Sequence, residues 1–540
     1  MNRQQNSSIV IAALILAKIL AKILAVILAT VSARACFAEA PPGQVFSVTQ
    51  YGAVGDGTAL DTAAIQQAVD ACHAAGGGTV LFPPGIFLSG TVFLKDNVRL
   101  FLDTQAVLRG SPRPQDYPAI PRQNALGAPA FKTGFLLYGE GLQRVAIEGR
   151  GTIDGQGPAF WLDEMINAHV RKPLPSRPRA LVCLVQSNSL LVRDVSLVNS
   201  PCYTLWLIGC DDVNIDGIVI RNPHDGPNTD GIDIDCCSRV RIANCLIDGG
   251  DDAIAIKSDG GLLGADKPCE DITVTNCVLC SVPACGVRIG YEGDSIIRNC
   301  TFSNLTIYDT DIGLDIISIL PDVPRIQKGS RCEHIVFNNI TMRNVNRALF
   351  FWMGNETDNE AQVYLKNVLV SNIVADCRIG CFVGGYADRN VENVTISNLH
   401  LTLTGDMPEQ ARLAGSQIWG GSWNPYAMYC TKVDGLRVES LDVDWTQSQG
   451  HWRHTVYCED VSRAALTGIT SRGFCALPGV AQIGLKNSSA RIYNCLAETG
   501  DAPFLQLTDR SRAFVSGCDL TEAKDPFSAD ATSSVVEGGR

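Results

Sequence analysis

Residues 228–235 read Asn-Thr-Asp-Gly-Ile-Asp-Ile-Asp, and residues 250–257, which begin 22 positions later, read Gly-Asp-Asp-Ala-Ile-Ala-Ile-Lys. Each segment begins with turn-forming residues and continues as a short run in which isoleucine alternates with other residues. Such alternation places the isoleucines on one face of a β-strand. The interval therefore predicts two successive coils of a solenoid, with the same turn at the start of each strand.

A related phrase recurs along most of the chain, in which Asn, Asp, Ser or Gly precedes an apolar residue in a short run of strand-forming residues. The apolar residue stands at positions 195, 218, 245, 277, 300, 340, 373, 399, 441, 469, 495 and 518. Successive positions are at least 23 residues apart, and we expect the excess to form loops. Long helical patterns and hairpin turns are scarce between the runs, which disfavours strand–helix barrels and β-sandwiches. The repeats predict an all-β parallel β-helix, with turn asparagines hydrogen-bonded from coil to coil.

The first 40 residues have the composition of an export signal, with a polar start, an apolar run from Ile9 to Val31 and small residues at the end. Two lysines inside the apolar run argue against the alternative, a retained membrane anchor. We expect a signal peptide at 1–40, a parallel β-helix domain at 41–525 and a flexible tail at 526–540. The mature protein is expected to be secreted or periplasmic, with no stable membrane association.

An amphipathic pattern from Thr62 to Ala75 predicts one helix near the start of the domain. Glycines at 76–78 end the pattern. Because the terminal coil of a solenoid exposes an apolar cross-section, we expect this helix to cover the open N-terminal end.

Composition narrows the possible partners. The net charge of −12 argues against a nucleic-acid binder, which needs a basic face. Of the 21 cysteines, five share the position of the recurring phrase, which favours stacked buried thiols and leaves disulfides open: Cys245, Cys277, Cys300, Cys495 and Cys518. Cysteine pairs with zinc-site spacing are not found, so we expect no metal. We also expect a monomer without a cofactor.

Asp230, Asp251 and Asp252 stand at the same point of two predicted coils, so their carboxyl groups are expected side by side. Three carboxyl groups this close do not all ionise in their ordinary range, and one is expected to keep its proton. An acid beside a carboxylate base is what hydrolysis of a glycosidic bond requires. The same residues also suit two other interpretations, namely turn acids that bind backbone amides and calcium ligands.

The sequence resembles glycoside hydrolase family 28, the polygalacturonase family of pectin-degrading right-handed β-helices. The resemblance runs from about Phe46 to beyond residue 400, and its motifs lie at residues 51–58, 228–231 and 250–257.

The resemblance implies an inverting hydrolase. Asp251 would protonate the leaving oxygen, while Asp230 and Asp252 would activate water. Asn228 would orient the acids and belong to the substrate-binding set. In an inverting site the two carboxyl groups are typically about 6.5–9.5 Å apart, which leaves room for the water.

The chain departs from the family pattern in the two coils after the acids. Cys285 stands where the family has the His of Gly-His-Gly. Asp315 and Ile317 stand where the Arg and Lys of Arg-Ile-Lys hold the substrate carboxylate in the family. Because an acid in place of Arg would repel galacturonate, we expect a shifted substrate, such as branched pectin, a rhamnogalacturonan-type bond or an exo-acting site.

Five further residues are candidates for substrate binding. Lys257 belongs to the family motif, and Arg288 is placed to replace the missing cations in part. Asp315 is expected to bind either a neutral sugar hydroxyl or Arg288. His224 is close in sequence to the first acid-bearing segment, and Tyr291 is close in sequence to Cys285. Each also has an ordinary structural interpretation as a turn or coil-surface residue.

We therefore expect an exported glycoside hydrolase that cleaves pectic poly- or oligosaccharide, of galacturonan or rhamnogalacturonan type, by single displacement. One alternative is a polysaccharide lyase, which usually needs an Arg or Lys base and often calcium. The other is a non-catalytic, carbohydrate-binding β-helix, which the altered coils favour and the intact acids oppose.

Overall fold

The chain forms a right-handed parallel β-helix, as predicted. The computed structural model describes residues 43–121, 131–408, 425–474, 477, 479–499 and 502–538, so the predicted signal peptide lies outside the described residues. Each coil passes through three parallel sheets, here called sheets 1, 2 and 3 in chain order. Strands of the same sheet in successive coils are hydrogen-bonded to each other.

The strands confined to one sheet are short. Sheet 1 contains Val45–Ser47, Gly78–Phe82, Val98–Leu102, Ala146–Gly149, Asn188–Arg193, Asp211–Asp216, Ser238–Ala243, Cys269–Thr275, Ser489–Tyr493, Arg512–Ser516 and Ser534–Glu537. Sheet 2 contains Asp56–Leu60, Gly85–Ser89, Ala106–Gly110, Thr152–Asp154, Ser196–Val198, Val219–Arg221 and Leu246–Gly249. Sheet 3 contains Val92–Phe93, Phe135–Glu140, Ala180–Val185, Tyr203–Ile208, Ile232–Asp235, Ile254–Ser258, Cys381–Gly384, Met428–Thr431, Val456–Glu459, Ile483–Lys486, Leu505–Thr508 and Phe527–Ala529. Longer strands bend through two or three sheets: Val278–Gly293, Ile296–Leu320, Arg331–Asn355, Tyr364–Ile379, Val391–Leu403, Val433–Asp444 and Ala464–Arg472.

The main helix, Thr62–Ala74, buries its apolar face against the first coils and covers the N-terminal end of the core, as predicted. The other helical segments and the antiparallel hairpin are short: Gly260–Leu263, the 3-10 turns Val48–Tyr51, Pro114–Asp116 and Gly157–Phe160, and the paired strands Trp161–Met165 and Arg171–Pro173. Among the described residues, no helix is both long and apolar enough to cross a membrane.

The register of sheet 3 shows the predicted coil directly. Ile232 lies opposite Ile254 and Ile234 lies opposite Ile256, an offset of 22 residues. All four side chains are fully buried in the core, and burying one such side chain contributes roughly 1.5–3 kcal/mol. The residues between them point away from the core, so sheet 3 presents Asp233 and its neighbours on its outer face.

The recurring phrase marks the start of the sheet 2 strand in each coil, and one of its predicted positions is wrong. Cys277 is followed in the stack by Leu305, whereas Cys300 lies opposite Ile272 in sheet 1. The coil at 296–320 contains the phrase twice, once in each of two turns. Spacing alone therefore selects the wrong copy.

Asparagine side chains link the turns from coil to coil, as predicted. Nδ2 of Asn339 donates to Oδ1 of Asn304 at 2.7 Å, and Nδ2 of Asn398 donates to Oδ1 of Asn372 at 2.7 Å. The φ angles of Asn339 and Asn398 are 59° and 52°, in the left-handed region that Asn adopts more readily than most residues. These turn asparagines are exposed, so the ladder lies on the surface and not inside the turns.

The cysteines that the structure describes are free thiols, and all but Cys518 are buried. Cys245 and Cys277 occupy equivalent positions before paired strands of sheet 2. The N–H of Cys495 donates to Sγ of Cys518 at 3.4 Å. The interpretation as stacked, buried thiols is confirmed for Cys245 and Cys277, whereas Cys518 of the second pair is only half-buried.

The solenoid continues beyond the boundary predicted at residue 525. Phe527–Ala529 pairs with the preceding strand of sheet 3, and Ser534–Glu537 pairs with that of sheet 1. The prediction of a separate tail is therefore wrong for these strands. A final coil is exposed on one side, and its polar composition is hard to distinguish from that of a tail.

Candidate active site

Asp230 and Asp252 occupy equivalent positions of neighbouring coils, at the turn that leads into sheet 3. The N–H of Gly231 donates to the carbonyl oxygen of Asp252 at 2.9 Å, which fixes the stacking of the two turns. Together with Asp251, they place one carboxylate oxygen each within 4.8 Å of the other two. The predicted cluster is present. Its nearest oxygens are closer to one another than the roughly 6.5–9.5 Å between the carboxyl groups of a typical inverting site, since neighbouring coils are only about 4.8 Å apart.

Local backbone chemistry allows the two turns to approach. A Cβ atom on Gly231 would lie 2.4 Å from the carbonyl oxygen of Ala253, and one on Gly250 would lie 2.5 Å from that of Pro223. Asn228 has a φ of 53°, a left-handed conformation that Asn tolerates. The glycines and the asparagine of the two motifs thus hold the acids in contact across the coils.

Burial and mutual repulsion decide where the protons of the cluster reside. Burial raises the pKa of Asp251 well above its ordinary value, and the charges of Asp230 and Asp252 raise it further. Burial and the neighbouring Asp233 also raise the pKa of Asp230, while Lys257 opposes the shift. Asp251 is only half-buried, so a proton held there is accessible from the outer face.

Lys257 gathers the carboxylates on the outer face of sheet 3. Its Nζ lies 2.8 Å from Oδ1 of Asp233, 2.9 Å from Oε2 of Glu292 and 3.5 Å from Oδ2 of Asp230. It also lies 4.6 Å from the ring centroid of Tyr203. Because this buried ammonium is balanced by three acids, it positions Asp230 and is not a free cation for a substrate.

Arg288 performs the corresponding role for Asp252. Its Nε donates to Oδ2 of Asp252 at 2.6 Å, and its Nη1 lies 3.2 Å from Oδ2 of Asp315 in the next coil. The N–H of Cys285 donates to Oδ1 of Asp252 at 3.1 Å. Both oxygens of Asp252 therefore accept a hydrogen bond, one of them from a charged donor.

A direct substrate contact was expected of Arg288, and for Asp315 either such a contact or a pair with Arg288; the structure shows the pair and buries both side chains. Arg288 is 4% exposed and Asp315 is 0% exposed, and they pair with each other. Burial raises the pKa of Asp315 to about 7, although Arg288 opposes the shift. Sγ of Cys285 donates to Oδ2 of Asp315 at 3.3 Å, and Ile317 is fully buried. The residues at the altered motif positions thus form a closed cluster and not a carboxylate-binding site.

The other three candidates lie around the cluster. Asn228 is exposed, and its Oδ1 accepts from Nη2 of Arg177 at 2.8 Å, so this oxygen is not the one that orients the acids. Nε2 of the exposed His224 lies 2.5 Å from Oδ1 of Asp248 on sheet 2, outside the trio of acids. Tyr291 is half-buried against an apolar cluster on the outer face of sheet 3.

Asp233 and Asp235 lie beside the acid trio, although they are not among the site residues predicted from the sequence. Both are buried on the outer face of sheet 3, where burial raises the pKa of Asp233 to about 6 and that of Asp235 to about 7. Oδ1 of Asp235 accepts from the N–H of Asp259 at 2.7 Å. The alternating pattern in the sequence could have predicted this position. The isoleucines of the strand point inward, so the acids between them lie on the outer face, as the cluster does.

Within the described ranges of the chain, two groups of side chains carry suitable donor atoms for a metal ion, the acid trio and the set of His224, Asp248 and Cys280. In the acid trio, the cations of Lys257 and Arg288 already balance the carboxylates, which disfavours a further cation. In the second set, the hydrogen bond between His224 and Asp248 accounts for their approach. The geometry therefore favours proton transfer at the acids.

Comparison with known proteins places this arrangement in a family. The profile described as "Glycosyl hydrolases family 28" matches residues 130–406, just over half of the chain. A probable polygalacturonase of Vitis vinifera is 30% identical over 327 residues, and the match covers 58% of this chain and 64% of that protein. The chain thus spans less than two thirds of the length of that relative.

Two solved structures share the fold. An exopolygalacturonase of Thermotoga maritima superposes with a TM-score of 0.58 at 23% identity, over 67% of this chain and 88% of the other. The family 28 exopolygalacturonase of Yersinia enterocolitica superposes with a TM-score of 0.54 at 19% identity, over 83% of this chain and 78% of the other. With its β-helix, its acid trio and its profile match, the chain belongs to glycosyl hydrolase family 28.

Proposed function

We propose that the protein hydrolyses glycosidic bonds in pectic poly- or oligosaccharides. The observation that carries the proposal is the trio of Asp230, Asp251 and Asp252, whose oxygens lie within 4.8 Å of one another on the outside of the solenoid. A protonated and an ionised carboxyl group at this distance supply a general acid and a general base for one bond. Membership of family 28 and the resemblance to a probable polygalacturonase support a pectic substrate.

Asp251 is the proposed acid. Burial and two neighbouring acids raise its pKa, so it keeps a proton at pH values where an ordinary aspartate has lost it. It is also the most accessible member of the trio. The proton passes to the glycosidic oxygen as the bond between that oxygen and the anomeric carbon breaks. Asp251 ends the step as a carboxylate and is reprotonated before the next turnover.

Asp230 and Asp252 are the proposed bases. Oδ1 of Asp230 is buried and has no hydrogen-bond partner among the described residues, which suits an acceptor for an attacking water. Nε of Arg288 and the N–H of Cys285 hold the two oxygens of Asp252 in place. Water would give a proton to this pair and its oxygen to the anomeric carbon, which inverts the configuration. The family resemblance supports inversion, whereas the spacing of the acids alone is nearer to the roughly 5–5.5 Å of retaining enzymes.

The altered coils narrow the proposed substrate. Asp315 and Ile317, at the positions where the family holds a substrate carboxylate, are fully buried. We therefore favour a rhamnogalacturonan-type bond, in which a neutral sugar adjoins galacturonate, over unbranched galacturonan. The predicted signal peptide at 1–40 supports action by a secreted or periplasmic protein.

A product screen followed by proton NMR tests this function. The protein is incubated with galacturonan and rhamnogalacturonan fragments, and the anomeric signals of the first products are recorded. Inverted products without the ultraviolet absorption of an unsaturated uronate are expected. Retained configuration would overturn the single displacement, unsaturated products would indicate a lyase, and intact fragments throughout would overturn hydrolysis.

A further inference from the structure

A positively charged cleft lies beside the acid trio, on the side of the earlier coils. Its volume is about 480 Å³, and its lining combines apolar side chains with Lys132, Arg177 and Arg179. The two arginines belong to the segment that leads from the antiparallel hairpin into the sheet 3 strand Ala180–Val185. Their position is therefore set by the β-helix itself.

The cleft adjoins the turn that carries the first acid. Nη2 of Arg177 donates to Oδ1 of Asn228 at 2.8 Å. The guanidinium carbon of Arg179 lies 5.1 Å from the ring centroid of Tyr203. The N–H of Thr204, the residue after Tyr203, donates to the carbonyl oxygen of Asp230 at 3.0 Å. The ring of Tyr203 and the acid therefore lie in neighbouring coils. A group bound in the cleft would therefore lie roughly 5–10 Å from the trio, one or two coil spacings away.

The charges of the cleft are not neutralised as those of the trio are. In the described part of the chain, no carboxylate oxygen lies within 4.0 Å of a side-chain nitrogen of Lys132, Arg177 or Arg179. Lys257 and Arg288, by contrast, each pair with two or more acids. Arg177 already donates to the carbonyl oxygens of Pro201 and Pro227 and to Asn228, so it mainly fixes the wall of the cleft. Arg179 rests on the ring of Tyr203, with Glu292 and Asp230 acting on its charge from beyond contact distance. Its guanidinium, together with Lys132, is therefore the part of the cleft suited to a planar anion.

We propose that Lys132, Arg177 and Arg179 form a subsite for the carboxylate of a uronate residue in the glycan. The inference rests on the proposed function, because it places the cleft and the acids on the same substrate. On the other side of the trio, Arg288 is already paired with Asp315. In this arrangement the uronate binds on the side of the earlier coils. The sugar on the other side of the scissile bond, next to Arg288 and Asp315, is neutral.

Binding is measured in the full-length protein carrying Asp251→Asn, so that turnover does not intervene. Trigalacturonate and its carboxyl-reduced derivative are titrated by calorimetry. We expect the acid form to bind at least about tenfold more tightly, and Arg179→Gln to weaken that binding roughly 10- to 100-fold without affecting the reduced form. Arg179→Lys should restore part of the loss. Arg491→Gln, which changes an exposed arginine of sheet 1, should leave both affinities unchanged.

Three results would overturn the subsite: equal affinity for the acid and reduced forms, an unchanged affinity in Arg179→Gln, or no measurable binding of either form. Thermal melting verifies that each variant is folded, and Arg177→Gln serves as the second variant if Arg179→Gln does not fold. Arginine-dependent binding without hydrolysis by the unmodified protein would refute the proposed function and leave the subsite standing. Hydrolysis at an unchanged rate after replacement of either arginine would refute the subsite and leave the proposed function standing.

Discussion

Arg288 and Asp252, in neighbouring coils, are joined by a hydrogen bond of 2.6 Å between Nε and Oδ2. The same guanidinium reaches Asp315 one coil further on, where Nη1 and Oδ2 are 3.2 Å apart. One buried cation thus spans three coils and balances two buried acids. A proposed base and the altered motif positions therefore form a single electrostatic unit.

Replacing Arg288 with Met should destabilise the protein by about 3–5 kcal/mol, because two buried acids lose their cation. Adding Asp315→Leu should recover part of this loss, since only Asp252 then lacks its charged partner. Urea unfolding of the single and double variants measures the difference. A double variant no more stable than Arg288→Met would contradict the coupling.

Asp251→Asn should reduce hydrolysis by at least about 100-fold, because the amide has no acidic proton to give to the leaving oxygen. The melting temperature should not fall, since the uncharged amide has nearly the size of the protonated carboxyl group that it replaces. Asp248→Asn is the matched control, as this acid is bonded to His224 outside the trio. Full turnover by Asp251→Asn would remove the acid assignment.

Lys257→Met should move the acid limb of the pH–rate profile upward by about one unit or more. Lys257 opposes the rise in the pKa of Asp230, so without it this base is protonated at higher pH. The profile of kcat/KM from pH 4 to 8 measures the shift. Lys267→Met, which breaks a 2.9 Å contact with Asp211 on another face, is the control and should leave the limb in place.

Stability should fall as the pH rises from about 5 to 8. Burial raises the pKa of Asp233 to about 6 and those of Asp235 and Asp315 to about 7, from an ordinary value near 3.8. The folded state therefore binds more protons than the unfolded state in this range, and the stabilisation present at low pH is lost through pH 6–7. Melting temperatures across the range test the sign. Asp315→Asn should flatten the dependence, whereas Asp194→Asn on the exposed surface should not.

Polygalacturonate should be hydrolysed more slowly than rhamnogalacturonan fragments at equal concentration. The coil that carries Asp315 and Ile317 offers a uronate no free cation, because Arg288 is already paired there. Release of reducing ends from both substrates measures the ratio. Faster cleavage of polygalacturonate would show that a second uronate is accepted despite these residues.

Periodicity made the core and the acid trio predictable. The 22-residue interval places Ile232 over Ile254 and Asp230 over Asp252, and both relations depend only on the coil repeat. The misplaced Cys300 shows where this fails, since one coil carries the phrase twice.

The partners of outward side chains were less accessible to sequence reasoning. Alternation correctly puts Arg288 and Asp315 on the outer face, from which exposure was inferred. Both are nevertheless buried, because neighbouring coils and side chains cover that face. Of the two expectations for Asp315, the pair with Arg288 is the one confirmed. The burial of that pair was not predicted, because no local pattern in the sequence reports which side chains cover the face.

The ion pair between Arg288 and Asp315 also constrains the order in which substitutions can accumulate at these two positions. Placing Arg at position 315 alone, as in the family motif, would set two guanidinium groups about where a 3.2 Å ion pair now stands. Restoring the motif therefore requires substitutions in two adjacent coils, and either one made first is unfavourable. Such epistasis would make a return to the Arg-Ile-Lys coil a change of at least two steps.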